Sequence, residues 1–219
     1  SIDEAMKDGG MSKVRFMILP LLTKLRQICI DPRIVYTDYE GGSNKIERFL
    51  SIVEELVNNN HKILVFTSFR TALNIVKVEL ENIGIKCYTM DGSVSSKERM
   101  ERVNSFNNND DVKVFLIMLK SGGTGLNLAS SDIVIHLDLW WNPQAENQAT
   151  DRAHRIGQTN TVEVIRLVSK GTIEEKVLDL QEKKKELSEK LIDAESLDQN
   201  LIGELTEKDI KELLAYENK

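Results

Sequence analysis

Only two cysteines occur among 219 residues. Cys29 and Cys87 stand far apart within apolar patterns, which excludes a disulfide framework and reads as two reduced core positions in a cytosol-like redox setting. No apolar run approaches the roughly 18 to 20 residues of a membrane span, and nothing near Ser1 has the layout of a signal peptide, so no membrane partner is expected. His61 and His136 lack ligand-spaced partners, so no metal site is expected within this chain. The sequence holds no G-x-x-x-x-G-K-[ST] phosphate loop and no acidic strand end beside one to hold magnesium. Gly122-Gly123-Thr124-Gly125 follows an apolar run, but no lysine stands at the required place after it. G-x-G-x-x-G is missing after the first expected strand, which sets aside a dinucleotide-binding oxidoreductase. There is no internal repeat and no low-complexity tract.

What is present is ordinary in bulk and uneven in detail. A chain of this length, 41% hydrophobic and 29% charged, buries a sizeable core and has a globular composition. Its formal charge of −6 argues against a strongly basic surface. The acidity is local, however: residues 1–60 sum to −1, residues 61–170 to +1 and residues 171–219 to −6. A neutral central stretch still binds backbone phosphate through a few clustered Lys, Arg and N–H groups, though weakly by itself.

Periodicity divides the chain into alternating elements. Val14, Ile18, Leu21, Leu25 and Ile28 follow a helical spacing, as do Ile46, Phe49/Leu50, Val53 and Leu56/Val57, so two amphipathic helices are expected. Residues 31–43, with Pro32, Gly41 and Gly42, read as a loop. Apolar runs at 63–66, 85–90, 112–119, 133–137 and 162–168 then alternate with helical segments at 71–83 and 96–106, and a third helix should start at Pro143 with Asn142 as its N-cap. That alternation predicts an α/β fold, a mainly parallel sheet flanked by helices. Beyond Gly171, Ile173, Val177, Leu180, Leu187 and Leu191 keep a helical spacing interrupted at Lys184, and the short stretch 206–214 reads as a capped helix. Residues 193–203 between them read as a connector.

In parallel sheets of this kind, function sits at the carboxyl ends of the strands. Thr67-Ser68, Asp91-Gly92-Ser93, Lys120 to Gly125 and Trp140-Trp141 all fall there. Each alone is what any tight turn uses, but their common edge points to one site. Q-A-T-D-R-A-H-R-I-G-Q, from Gln148 to Gln158, sets Arg152 and Arg155 three residues apart on one helical face. Two guanidinium forks converging there suit the oxygens of a phosphoryl group in transfer. The plainer alternative is an exposed ion-pair cluster of these arginines with Glu146 and Asp151.

The whole string resembles motif VI of the Swi/Snf family of DNA-dependent ATPases, in helicase superfamily two. Its surroundings resemble that family in the right order: L-T-K-L-R-Q-I-C-I-D-P (22–32), K-I-L-V-F-T-S-F (62–69), the D-G-S loop at 91–93, F-L-I-M-L-K-S-G-G-T-G-L-N-L (115–128) and D-I-V-I-H-L-D-L-W-W-N-P (132–143). The resemblance implies a RecA-like second motor lobe over residues 43–171, entered by an inter-lobe connector over 1–42 and followed by a brace helix and short terminal helix over 172–219. Without a phosphate loop, such a chain is expected to be one lobe of a longer motor.

The resemblance also implies roles. Arg152 and Arg155 would be catalytic arginine fingers, and with Gly125, Asn127 and Gln148 would border the nucleotide. Thr67, Ser68, Asp91, Gly92, Ser93, Lys120, Ser121 and Trp141 would meet DNA. Read from residue chemistry instead, Trp140 is expected to pack at the sheet edge and His154 to orient by a hydrogen bond, since phosphoryl transfer relies on positioning and electrostatics. ATP and Mg2+ would be held mainly by an N-terminal RecA-like lobe of the same protein, and the partner would be double-stranded DNA. A monomer, located with the nucleoid in a prokaryote or in the nucleus in a eukaryote and not secreted, is expected. Two other readings stay open: an RNA helicase lobe of the same superfamily, whose motif VI usually ends G-R where this one has Gly157-Gln158, and a RecA-like interaction module without motor function.

Overall fold

The computed structural model describes residues 2–119, 126–151, 161–191 and 206–214, with side chains from residue 16 onward except at 145, 187–191, 207 and 214. In chain order the elements are α1 (Ile2–Ile30), a 3₁₀ turn (Pro32–Ile34), α2 (Asn44–Asn58), β1 (Ile63–Thr67), α3 (Arg70–Asn82), β2 (Cys87–Met90), α4 (Ser96–Asn108), β3 (Val114–Met118), β4 (Ile133–His136), α5 (Pro143–Thr150), β5 (Glu163–Arg166), α6 (Ile173–Leu191) and α7 (Glu207–Leu214).

The five strands form one sheet in the order β2-β3-β1-β4-β5, and every pairing is parallel. All five residues of β1, the central strand, are buried. Side chains alternate between the faces of a strand, and the two faces therefore build two cores. Ile63, Val65, Leu116 and Ile135 meet Phe49 and Val53 of α2 and Leu73, Val76 and Leu80 of α3. Leu64, Phe66, Phe115, Ile117 and Val134 meet Val103 and Phe106 of α4 and Ala149 of α5. Such two-sided burial is why these strands read as continuous apolar runs.

Helix ends follow their local chemistry. Ser43 caps α2, accepting from the Ile46 N–H while its hydroxyl donates to the Ile30 carbonyl at 2.6 Å. Asn142 caps α5 through the Gln144 N–H at 3.0 Å, with Pro143 opening the helix. α3 ends where Gly84 turns to φ 77, so that Ile85 N–H reaches the Leu80 carbonyl and Gly84 N–H that of Glu81; only glycine takes that conformation without strain. Thr206 opens α7 with a reciprocal pair, its hydroxyl accepting from Asp209 N–H and its own N–H donating to the Asp209 carboxylate.

Two expectations are corrected. The apolar face of α1 is not the Leu21 and Leu25 stripe, which stays 56% and 43% exposed; Ile18, Leu22, Arg26 and Ile30, spaced by fours, are the residues buried. In α6 the interruption at Lys184 is buried as well, 3.4 Å from Asp209 of α7. α1, α6 and α7 thereby share a third core of Ile18, Leu22, Val177, Leu180, Ile210 and Leu213, joined by Leu139 and Trp141 from the loop after β4. The stretch 193–203, expected as a connector, lies outside the described residues.

Candidate functional site at the carboxyl edge of the sheet

Asp138, two residues beyond β4, organises the end of β1. Its Oδ1 accepts the Thr67 hydroxyl at 2.7 Å and the Ser68 N–H at 2.8 Å. Thr67 is 3% exposed. Its hydroxyl is therefore engaged inside the protein, and what this loop offers outward is Ser68. The Oδ2 of Asp138 takes Nη2 of Arg26 at 2.7 Å, and the same nitrogen reaches Ser68 Oγ at 3.3 Å.

Around that guanidinium stand three rings. Cζ of Arg26 lies 4.7 Å from the Trp140 centroid, 5.3 Å from that of Trp141 and 5.1 Å from that of Phe69. The two indoles stack on each other at 3.9 Å and 29°. Burial pulls the Arg26 guanidinium below its ordinary range, opposed first by Asp138 and more distantly by Glu174 and Glu146.

The backbone of Trp140 is held on both sides. Its N–H donates to Glu146 Oε1 at 2.8 Å, and its carbonyl accepts from Gln181 of α6, which also donates to Glu146 at 2.7 Å. Arg166 Nε completes the carboxylate at 3.2 Å. Glu146 is only 1% exposed, and burial raises its carboxyl against the bonds it accepts from Trp140, Gln181 and Arg166. Glu146 is thus not an exposed surface carboxylate: its oxygens hold Trp140, α6 and β5. Trp141 is half-buried against the third core.

Beyond β2, Asp91 accepts from the Ser93 N–H at 2.9 Å and the Ser93 hydroxyl at 2.6 Å, and pairs with Arg70 at 2.7 Å. The Ser93 hydroxyl first, then the Ser93 N–H and Arg70, hold the Asp91 carboxyl below its usual value against the opposing desolvation. Gly92 and Ser93 are exposed at the tip. Asn127 and Gln148 are exposed too; Asn127 Oδ1 accepts from Ala129 N–H at 3.3 Å and its carbonyl from Asn107 at 2.8 Å. Their amides offer donor and acceptor chemistry that suits a ribose or phosphate oxygen but supply no charge. Among the described residues no cluster of acidic, His or Cys side chains could hold a metal ion. Lys120, Ser121, Gly122, Gly123, Gly125, Arg152, His154 and Arg155 lie outside the described residues.

His136 supports α5 from within the sheet, stacked on Phe66 at 5.7 Å and 3.3 Å from the Thr150 hydroxyl. Burial, with Arg166 nearby, pushes its pKa down to about 4, so the ring is neutral at pH 7. Sequence reasoning missed three contributors here: Asp138, Arg26 and Arg70. The available signal for Arg26 was its place in the Ile18-Leu22-Arg26-Ile30 series; Asp138 stands inside a matched string and Arg70 directly after one, neither with a pattern of its own.

Known proteins are similar to this chain in sequence and fold. The helicase conserved C-terminal domain matches residues 44–157. An uncharacterised ATP-dependent helicase of Mycoplasma pneumoniae is 40% identical over 196 residues, covering 86% of this chain and 19% of that protein. The C-terminal domain of the Sulfolobus solfataricus SWI2/SNF2 ATPase superposes with a TM-score of 0.71 at 31% identity, covering 97% of this chain and 87% of that one. The core of the same ATPase in complex with double-stranded DNA gives a TM-score of 0.72 at 32% identity, covering 97% of this chain and 45% of that one. The chain spans about a fifth of the length of the Mycoplasma and Bacillus subtilis relatives it matches, between 17% and 22%. With more than half of its residues matched and its five-stranded parallel sheet shared, the chain belongs to the helicase conserved C-terminal domain family and is a second motor lobe of the Swi2/Snf2 type.

Proposed function

We propose that this chain is the second lobe of an ATP-driven translocase that moves along double-stranded DNA and remodels protein–DNA complexes. The observation that carries the reading is the gathering of Ser68, Asp91-Gly92-Ser93 and Trp140-Trp141 at the carboxyl ends of parallel strands along one edge of the sheet, where ligands of open α/β sheets bind. Support also comes from the Sulfolobus core, which holds double-stranded DNA, and from the helicase name of the Mycoplasma relative. In this reading ATP and Mg2+ lie between this lobe and an N-terminal RecA-like lobe that supplies the phosphate cradle. Gly125, Asn127 and Gln148 border the nucleotide, and Arg152 and Arg155 stabilise charge on the γ-phosphoryl group. Thr67 holds the β1 end from inside, while Ser68, Gly92, Ser93, Lys120, Ser121 and Trp141 meet the DNA backbone, with Asp91 shaping its loop. The motor works as a monomer wherever the genome lies.

ATP turnover by the intact protein, measured with duplex DNA, with RNA and without nucleic acid, tests this reading. Duplex DNA should stimulate turnover and RNA should not. Stimulation by RNA alone would favour the RNA helicase reading.

A further inference from the structure

Among the described residues Arg26 is the largest fully buried side chain, at 2% exposure. It comes from α1, outside the sheet, and ends between the loops after β1 and β4. Asp138 is shared: one oxygen holds Arg26, and the other holds the Thr67 hydroxyl and the Ser68 N–H. On its other sides the guanidinium is enclosed by Phe69, Trp140 and Trp141, and its Nε and Nη1 meet no acceptor among the described residues. For stability alone this is a poor choice. Replacing a buried ion pair by an apolar group of similar volume is often neutral or stabilising, and orphaned N–H groups add to the cost of burial. What a planar, always-charged fork supplies, and an apolar side chain does not, is a directional link from one helix to several segments at once.

We infer that Arg26 is a positioning residue that couples displacement of α1 to the two segments facing DNA, the Ser68 loop and the Trp140-Trp141 pair, through Asp138. The inference rests on the motor-lobe reading above. When α1 shifts relative to the sheet, the Arg26–Asp138 contact either carries the end of β1 and the indole stack with it or breaks. Glu146 and Gln181 fix the Trp140 backbone from α5 and α6, so the indole rings are the parts of that segment on which Arg26 acts.

The test uses the intact protein with Arg26→Met, Arg26→Lys and Asp138→Asn, measuring duplex affinity, maximal DNA-stimulated turnover and distance moved per ATP in triplex displacement. Arg26→Met should leave duplex affinity unchanged and lower the distance moved per ATP on the order of tenfold, the usual scale of coupling between sites. Arg26→Lys, which keeps the charge but not the fork, should fall between, and Asp138→Asn should resemble Arg26→Met. Wild-type distance per ATP in a folded Arg26→Met protein overturns the inference, and so does a loss of affinity and turnover in step with a lower melting temperature. Should Arg26→Met fail to fold, Arg26→Lys decides: wild-type coupling in it is again contrary. A wild-type protein without duplex-stimulated turnover instead removes the motor-lobe reading on which the inference stands.

Discussion

Lys45, near the start of α2, holds Glu174, near the start of α6, with Nζ 2.5 and 2.6 Å from the two carboxylate oxygens. The same ammonium donates to the carbonyls of Leu137 and Leu167, just past β4 and β5. One buried cation thus ties α6 to the carboxyl edge of the sheet, and Glu174 accepts the Ser169 N–H in addition at 2.8 Å.

Breaking a buried pair leaves an uncompensated charge, so Lys45→Met should lower unfolding free energy by about 3–5 kcal/mol. Lys45→Met combined with Glu174→Gln should recover part of that loss. Urea unfolding of the chain measures both, and a single variant as stable as wild type would show that the pair does not anchor α6.

The neutral His136 predicts an acid limit. Its folded pKa of about 4 lies below the ordinary 6.5, so between those values the unfolded chain binds more protons and stability rises with pH. The contribution is complete above pH 6.5 and is lost as pH falls toward 4, at most about 3 kcal/mol across that window. His136→Asn should flatten the rise relative to wild type, although Glu146, raised by burial, contributes with the opposite sign in both proteins. Identical slopes of unfolding free energy against pH would show that His136 is not held neutral.

Turnover should separate the arginines from the DNA-facing residues. In the intact protein Arg152→Ala or Arg155→Ala should lower maximal ATP turnover on the order of 10³-fold with DNA affinity near wild type, because such arginines act chiefly in the transition state. The 219-residue chain alone should turn over no ATP. Normal turnover with weakened DNA binding would move the altered arginine to a DNA contact.

Strands and helices were legible in the sequence because a parallel sheet covered on both faces leaves apolar runs, and because Asn142-Pro143 and Thr206 carry their caps in plain view. The buried face of α1 was not. Arg26 counts as a surface residue in any apolar pattern, and removing it from the series leaves Leu21 and Leu25 as the better-looking stripe. Lys184 misled in the same way, since its burial depends on Asp209, 25 positions later in the chain. Thr67 and Ser68 stood where the motif placed them, but that one hydroxyl turns inward depends on Asp138, which reads alone as a turn residue after an apolar run. Glu146 looked like a surface partner for its neighbours in sequence, whereas it is buried, and its partners among the described residues come from the loop after β4, β5 and α6.

Movement on an intact duplex is the central claim. Triplex displacement and duplex unwinding, run side by side on the intact protein with ATP, test it most directly. The account predicts efficient triplex displacement, no unwinding of a plain duplex, a steep loss of binding with salt because contacts are to phosphate, and weakened displacement in a folded Trp141→Ala protein. Efficient unwinding of a plain duplex, or displacement untouched by Trp141→Ala, would contradict it.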